Sequence, residues 1–154
     1  MKRNSKTLIT LLLALALIFS LCACGANNVA PENGGTEEYV TLVIAGEETV
    51  KYTVNLDNLS EGDGIIPLFE YLRDTEGVAF EMNGTMVSRL GELTNNAAAN
   101  SWIYIYTSVT ADADVSAYAK TVEYEGKTLT SSGFGANEMH LEGGAVIYVT
   151  TITF

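Results

Sequence analysis

A single helical stripe set among alternating strands constrains this chain more than any other feature. Ile65, Leu68, Phe69 and Leu72 fall at i, i+3, i+4 and i+7, so they share one face of a helix, with Glu70, Arg73 and Asp74 turned outward. Pro67 belongs in the first turn, where a missing N–H costs nothing, and Gly77 is placed to close the helix with a left-handed cap. The spacing predicts one main helix over about 65–75. Elsewhere the signals are strands and turns. Tyr39 to Ile44 reads as a strand and Gly46-Glu47 as a turn, after which Val50, Tyr52, Val54 and Leu56 alternate with Thr49, Lys51, Thr53 and Asn55. The pair predicts a hairpin. Val78, Phe80 and Met82 alternate ahead of Asn83-Gly84, the dipeptide that most favours a two-residue type I′ turn, with Thr85 to Leu90 as the return strand. Thr94 to Asn100 reads as a loop or short helix, and Ala145 to Phe154 as a long β-branched closing strand. One helix among roughly seven strands predicts an α+β domain with mainly antiparallel pairing. Its position after the first hairpin fits a β-grasp-like arrangement, in which a sheet wraps one face of a helix; the alternative is a sandwich with an incidental helix.

The first residues follow different rules. Lys2, Arg3 and Lys6 form a basic segment, Leu8 to Leu21 an apolar one, and small Ala23 immediately precedes Cys24. This pattern resembles a bacterial lipoprotein lipobox. The resemblance implies a diacylglyceryl thioether on Cys24 and cleavage just before it. Cys22 is the poorer acceptor, because bulky Leu21 precedes it. The apolar run of 14 residues is short of the ~18 to 20 expected for a spanning helix. The reading is therefore a signal peptide over 1–23, a flexible tether over 24–38 carrying Pro31, Gly34 and Gly35, and one domain over 39–154. Two acyl chains would hold it firmly on the extracellular face of the cell membrane.

Charge narrows the partners. All 19 acidic residues follow Cys24, and five basic residues accompany them, so the processed chain carries a formal charge of −14. Nucleic acid is excluded as a partner, since phosphates need clusters of Lys and Arg. Direct adsorption to anionic lipid is disfavoured as well, which leaves the anchor to supply the membrane contact. Once Cys22 is removed and the sulfur of Cys24 consumed, no disulfide or thiolate site remains.

The strongest binding signal is Trp102-Ile103-Tyr104-Ile105-Tyr106. Side chains alternate along a strand, so the three aromatic rings point to one side and the two isoleucines to the other. One face is aliphatic core. The aromatic row either stacks on a flat ligand or sugar, or is covered by a second sheet or by the 109–135 segment. The small loop Thr130 to Gly135 either presents Phe134 to a ligand or tucks it into the core.

Three segments occurring in order, Gly64-Ile65-Ile66-Pro67-Leu68-Phe69-Glu70-Tyr71-Leu72, Gly77-Val78-Ala79-Phe80 and Ser101-Trp102-Ile103-Tyr104-Ile105-Tyr106, resemble the transcobalamin-like C-terminal domain family. The likeness spans roughly residues 40 to 154. Members are found on Gram-positive surface proteins and lipoproteins and are similar to the smaller domain of eukaryotic cobalamin carriers. The resemblance implies a β-grasp-like fold and capture of a corrinoid such as cobalamin, or of another extracellular ligand. Where the family places a short Asn-Gly turn after its Trp strand, this chain has a long insertion from Thr107 to Ala136.

Other chemistry is sparse. Asp112, Asp114, Ser116 and Glu123 occupy positions 1, 3, 5 and 12 of a calcium loop, but Ala117 stands where that loop needs glycine; the competing reading is an acidic, solvated loop. His140, the one histidine, lacks the surroundings of a cobalt ligand and reads as a surface or internally satisfied side chain. No Gly-x-Ser-x-Gly elbow, phosphate loop or His-Glu-x-x-His is present. Glu123 and Glu125 read as exposed solubilising residues. The sequence thus predicts a non-enzymatic, lipid-anchored module that captures a small molecule or glycan through Trp102, Tyr104, Tyr106 and Phe134. The alternative is a structural or adaptor domain that binds another envelope protein and no small ligand.

Overall fold

β-branched and aliphatic residues alternate from Tyr39, where the first strand begins. The structure, a computed structural model, describes residues 38–154. The signal segment, Cys24 and the tether up to residue 37 lie outside the described residues.

β1 (Tyr39–Ala45) and β2 (Thr49–Asn55) form an antiparallel hairpin in the register Val40↔Val54 to Ala45↔Thr49, closed by the three residues 46–48. After a short 3₁₀ turn, α1 (Ile66–Glu76) carries Pro67 in its first turn and ends at Gly77 with φ 70°, as its sequence dictates. Pro67, Leu68, Phe69 and Leu72 are its buried positions. Each buried aliphatic or aromatic side chain of this kind contributes about 1.5–3 kcal/mol. The ring of Phe69 meets that of Phe80 at 5.3 Å between centroids.

β3 (Phe80–Asn83), β4 (Met86–Leu90) and β5 (Leu93–Thr94) form a small antiparallel sheet. Its first turn differs from the sequence expectation by one residue. Asn83 stays in the ladder opposite Met86, so the two-residue loop is Gly84-Thr85, and of these two residues Gly84 alone has a positive φ, 63°. That is the dihedral pattern of a turn with glycine first, not of a type I′ Asn-Gly turn.

The chain continues through β6 (Ser101–Thr107), β7 (Thr121–Tyr124), β8 (Lys127–Ser131) and β9 (Val146–Thr153). The segment read as a long insertion after Thr107 therefore contains a hairpin. Its turn, Glu125-Gly126, has φ of 47° and 77°, the pair of left-handed residues that a type I′ turn demands. The large sheet has the order β2-β1-β9-β6-β8-β7, antiparallel throughout except where β1 runs parallel to β9. The domain is α+β, with one α-helix among the described residues and mostly antiparallel strands.

Alternation sorts each strand between two apolar clusters. Val40, Leu42, Ile44, Ile147 and Val149 join the α1 stripe in the main core, with Ile103 and Ile105 packed against it. On the other side of the sheet Val43, Tyr106, Leu129 and Val146 are buried, bordered by Tyr104, Val122, Tyr124 and Tyr148.

Candidate functional site

β6 is an internal strand for only part of its length. Along one edge it pairs with β9 from Ser101↔Thr153 to Thr107↔Ile147. Along the other it meets β8 only at Tyr106↔Ser131 and Thr107↔Thr130. Over residues 101–105 that second edge has no full strand beside it. A cavity of about 280 Å³ lies there, lined among others by Trp102, Tyr104, Phe134, Val87, Ala136 and Phe154. No charged side chain belongs to its lining, although the chain carries 19 acidic residues.

Three of the four aromatic residues predicted to bind ligand converge on this cavity. Trp102 and Tyr104 are half-buried, and Phe134 is 48% exposed. The Trp102 Nε1–H donates to Asn100 Oδ1 at 3.1 Å, which fixes the indole plane. Phe134 is positioned by Ser132, whose Oγ accepts from the Phe134 N–H at 3.1 Å and donates to the Phe134 carbonyl at 3.0 Å. The wall behind it is anchored to the helix through the Ile65 N–H, which donates to the Ala136 carbonyl at 2.8 Å.

Tyr106 sits elsewhere. It is 5% exposed, is not part of the cavity lining, and packs between Tyr104 and Tyr148 at 5.4 and 6.2 Å between ring centroids. Burial is the first cause that pushes its phenol above the ordinary value, followed by the neighbouring Tyr104 and Tyr148. With Tyr124 beyond Tyr148 (5.7 Å) and Phe154 beyond Tyr104 (6.2 Å), five rings form one continuous tilted or edge-to-face row. Lys51 Nζ lies 5.9 Å from the Tyr124 centroid and Lys120 Nζ 5.7 Å from that of Phe154, so the row carries a cation at each end. Tyr148 and Phe154 entered no sequence-based site, although the alternation of the closing strand would have placed Tyr148 on one face; its pairing with Tyr106 depends on register across 42 residues of chain.

Asn95 was also missed. Its Oδ1 accepts the Ile103 N–H at 2.7 Å and its Nδ2 donates to the Val87 carbonyl at 3.0 Å. A side-chain amide thus stands in for a missing strand between β4 and β6.

The residues spaced like a calcium loop do not converge. Asp112 is fully buried, and its carboxylate accepts the His140 N–H at 2.8 Å and contacts His140 Nδ1 at 2.5 Å. Asp114 accepts the Ser116 N–H at 2.8 Å, Ser116 Oγ accepts the Tyr118 N–H at 3.2 Å, and Glu123 on β7 accepts the Thr128 hydroxyl. Among the described residues no three His, Cys, Asp or Glu side chains gather in a way that could hold a metal ion. His140 is mostly exposed at its ring, and the Asp112 hydrogen bond and charge raise its pKa above the ordinary value. A second, broader depression of about 650 Å³ is lined by residues including Glu47, Glu48, Glu76 and Glu92, and holds none of the predicted site residues. Glu125 is a turn residue in a 2.9 Å ion pair with Lys51. Comparisons of this chain with family models, curated proteins and solved structures find no match.

Proposed function

We propose that this chain is a non-enzymatic, lipid-anchored module of the extracellular face that captures a ligand in the cavity along the open edge of β6. The observation that carries the reading is the meeting of Trp102, Tyr104 and Phe134 around a hollow lined by no charged side chain in an otherwise strongly acidic chain. Flat rings with polar tips suit a ligand that has both an apolar face and hydrogen-bonding edges. The β1–β2 hairpin followed by α1, together with the parallel pairing of β1 and β9, supports a β-grasp-like fold and with it the likeness to transcobalamin-like C-terminal domains. That likeness points to a corrinoid, and the aromatic wall equally suits a glycan. A volume of about 280 Å³ sits at the lower limit of the roughly 300–1,000 Å³ of small-molecule sites, so the cavity admits the edge of a macrocycle or one sugar ring.

Calorimetric titration of the detergent-solubilised processed chain with cobalamin, cobinamide, haem and a glycan panel tests this. Saturable binding that is lost in Trp102→Ala and Tyr104→Ala, with unchanged circular dichroism, is the expected result. Absence of saturable binding throughout the panel removes its support. Mass spectrometry of the N-terminal peptide tests the anchor separately, through a diacylglyceryl adduct on Cys24. The open strand edge also favours a second reading, an adaptor that docks another envelope protein, for which a stoichiometric partner in a tagged pull-down is the expected sign.

A further inference from the structure

Hydrogen bonding along the open edge of β6 selects among ligand classes more sharply than the aromatic wall does. Even-numbered residues of β6 turn their backbone groups toward β9, as the bond from the Ser108 N–H to the Val146 carbonyl at 3.0 Å indicates just past the strand's end. The odd-numbered residues therefore face the cavity side. Ser101 is satisfied there by Asn96, with bonds of 2.7 and 3.0 Å. The Ile103 N–H is taken by Asn95 Oδ1 at 2.7 Å, and the Ile105 carbonyl by the Ser132 N–H at 2.8 Å. The ladder with β8 begins only at Tyr106↔Ser131. Two groups are left over: the Ile103 carbonyl and the Ile105 N–H have no hydrogen-bond partner among the described residues. Both residues are half-buried and line the cavity. An acceptor and a donor left open side by side along a strand edge are a template for pairing with another extended chain, and here they form a vacant ladder position beside the cavity.

Its geometry is directional. In a parallel ladder, one residue of the incoming strand donates its N–H to the carbonyl of residue i−1 and accepts from the N–H of residue i+1. With i at Tyr104, those are the two open groups. An antiparallel partner would instead need both groups of Ile103 or both of Ile105, and in each residue one is already taken. A second copy related by a two-fold axis would add antiparallel across this edge, so it does not fit the position.

We infer that the cavity binds an extended, uncharged peptide segment running parallel to β6, with one residue hydrogen-bonded between the Ile103 carbonyl and the Ile105 N–H. This deepens the proposed capture function and rests on it. Strand alternation places the central side chain of that segment on the Tyr104 side and its two neighbours on the Ile103 and Ile105 side, toward buried Val87 and Ala136. The lack of charged side chains in the lining matches a segment without Lys, Arg, Asp or Glu.

The test uses the processed chain, isotope-labelled in detergent, and a set of capped tripeptides acetyl-Val-X-Val-amide in which X is each uncharged residue with an N–H, at millimolar concentration. At least one member, with aromatic X favoured, should shift the Ile105 amide resonance downfield in a saturable way. N-methylation of X should then weaken binding tenfold or more, whereas N-methylation of the first valine, whose N–H points away from β6, should change it less than twofold. Ile105→Pro should also abolish binding; if that variant fails to fold, the paired N-methyl peptides decide. An Ile105 amide that no tripeptide perturbs, or equal binding of the two N-methyl isomers, overturns the inference. If cobinamide or a glycan binds in a Tyr104-dependent way while no tripeptide does, the peptide assignment fails and the capture function stands. If Trp102→Ala and Tyr104→Ala alter the binding of no ligand, the capture function itself fails.

Discussion

Asp112 and His140, 28 residues apart, are joined twice: one carboxylate oxygen accepts the His140 N–H at 2.8 Å and the other meets its Nδ1 at 2.5 Å. The carboxylate is fully buried while the imidazole is largely exposed. The contact pulls the His140 pKa above its ordinary 6.5, through the hydrogen bond first and the charge second. A raised folded-state value means the protonated imidazolium is favoured in the fold. The stabilisation is therefore complete below about pH 6.5 and disappears as pH rises through the folded-state value. Thermal melts at pH 5.5 and 8.5 should show a larger loss on the alkaline side for the parent chain than for His140→Ala. Equal pH dependence in the two chains would remove this pair from the account. Asp112→Ala, which also leaves the His140 N–H without its acceptor, should cost about 1–3 kcal/mol at pH 8.5 and more at pH 5.5, where the imidazolium contact is lost as well.

Gly64 is held at φ 61°, and a Cβ there would lie 2.2 Å from the Ala136 carbonyl oxygen, the same oxygen that accepts from Ile65. Gly77 has a similar φ of 70° but open space around it. Gly77→Ala therefore tests the backbone alone, at about 1 kcal/mol. Gly64→Ala adds a clash with the cavity wall and should cost roughly 2–5 kcal/mol by urea denaturation. Equal costs would show that the wall yields freely.

These positions mark how far the fold could be read in advance. The α1 stripe, the Pro67 start, the Gly77 cap and the two-faced strand at Trp102 to Tyr106 all follow from local periodicity, and the structure contains each of them. What local pattern cannot carry is register and partnership between distant segments. The calcium-like spacing at Asp112 is a local pattern, yet burial against a residue 28 positions away decides what that carboxylate does. The hairpin β7–β8 was hidden because its left-handed turn begins with Glu125, a residue with no particular preference for that conformation. Asn95 acting as a substitute strand partner, and the two unpaired groups of β6 beside it, become visible only when the sheet order is known. At the site itself the sequence identified the aromatic strand but could not divide its rings between cavity and core.

That division is testable. The sequence puts Tyr104 and Tyr106 in one ligand-binding row; the structure sets Tyr104 at the cavity and Tyr106 in the core, so truncating them has different consequences. Tyr106, nearly inaccessible and wedged between two tyrosines, should cost about 3–5 kcal/mol as Tyr106→Ala. Tyr104→Ala and Trp102→Ala, truncated at half-buried cavity residues, should cost less stability and weaken ligand binding by roughly tenfold or more, the scale of about 1.4 kcal/mol for a lost aromatic contact. A Tyr106→Ala protein as stable as the parent would contradict the packing described.

Glu125 sits at φ 47° in the first position of a type I′ turn, where the left-handed backbone costs most residues with a Cβ about 1 kcal/mol and asparagine followed by glycine is favoured. Its compensation is the ion pair with Lys51, but both side chains are well exposed, at 44% and 60%, and such pairs are worth only about 0.2–1 kcal/mol. The Tyr124 hydroxyl adds a longer bond of 3.2 Å to the same carboxylate. The backbone term outweighs the surface contacts, so Glu125→Asn should stabilise the domain by about 0.5 kcal/mol, read as a higher urea midpoint at an unchanged slope. High salt should enlarge that advantage, because it screens the Lys51 pair in the parent chain and leaves the turn preference untouched. A lower midpoint at both salt concentrations would mean that the Lys51–Glu125–Tyr124 cluster at the end of the aromatic row holds the β7–β8 hairpin more tightly than the turn itself does.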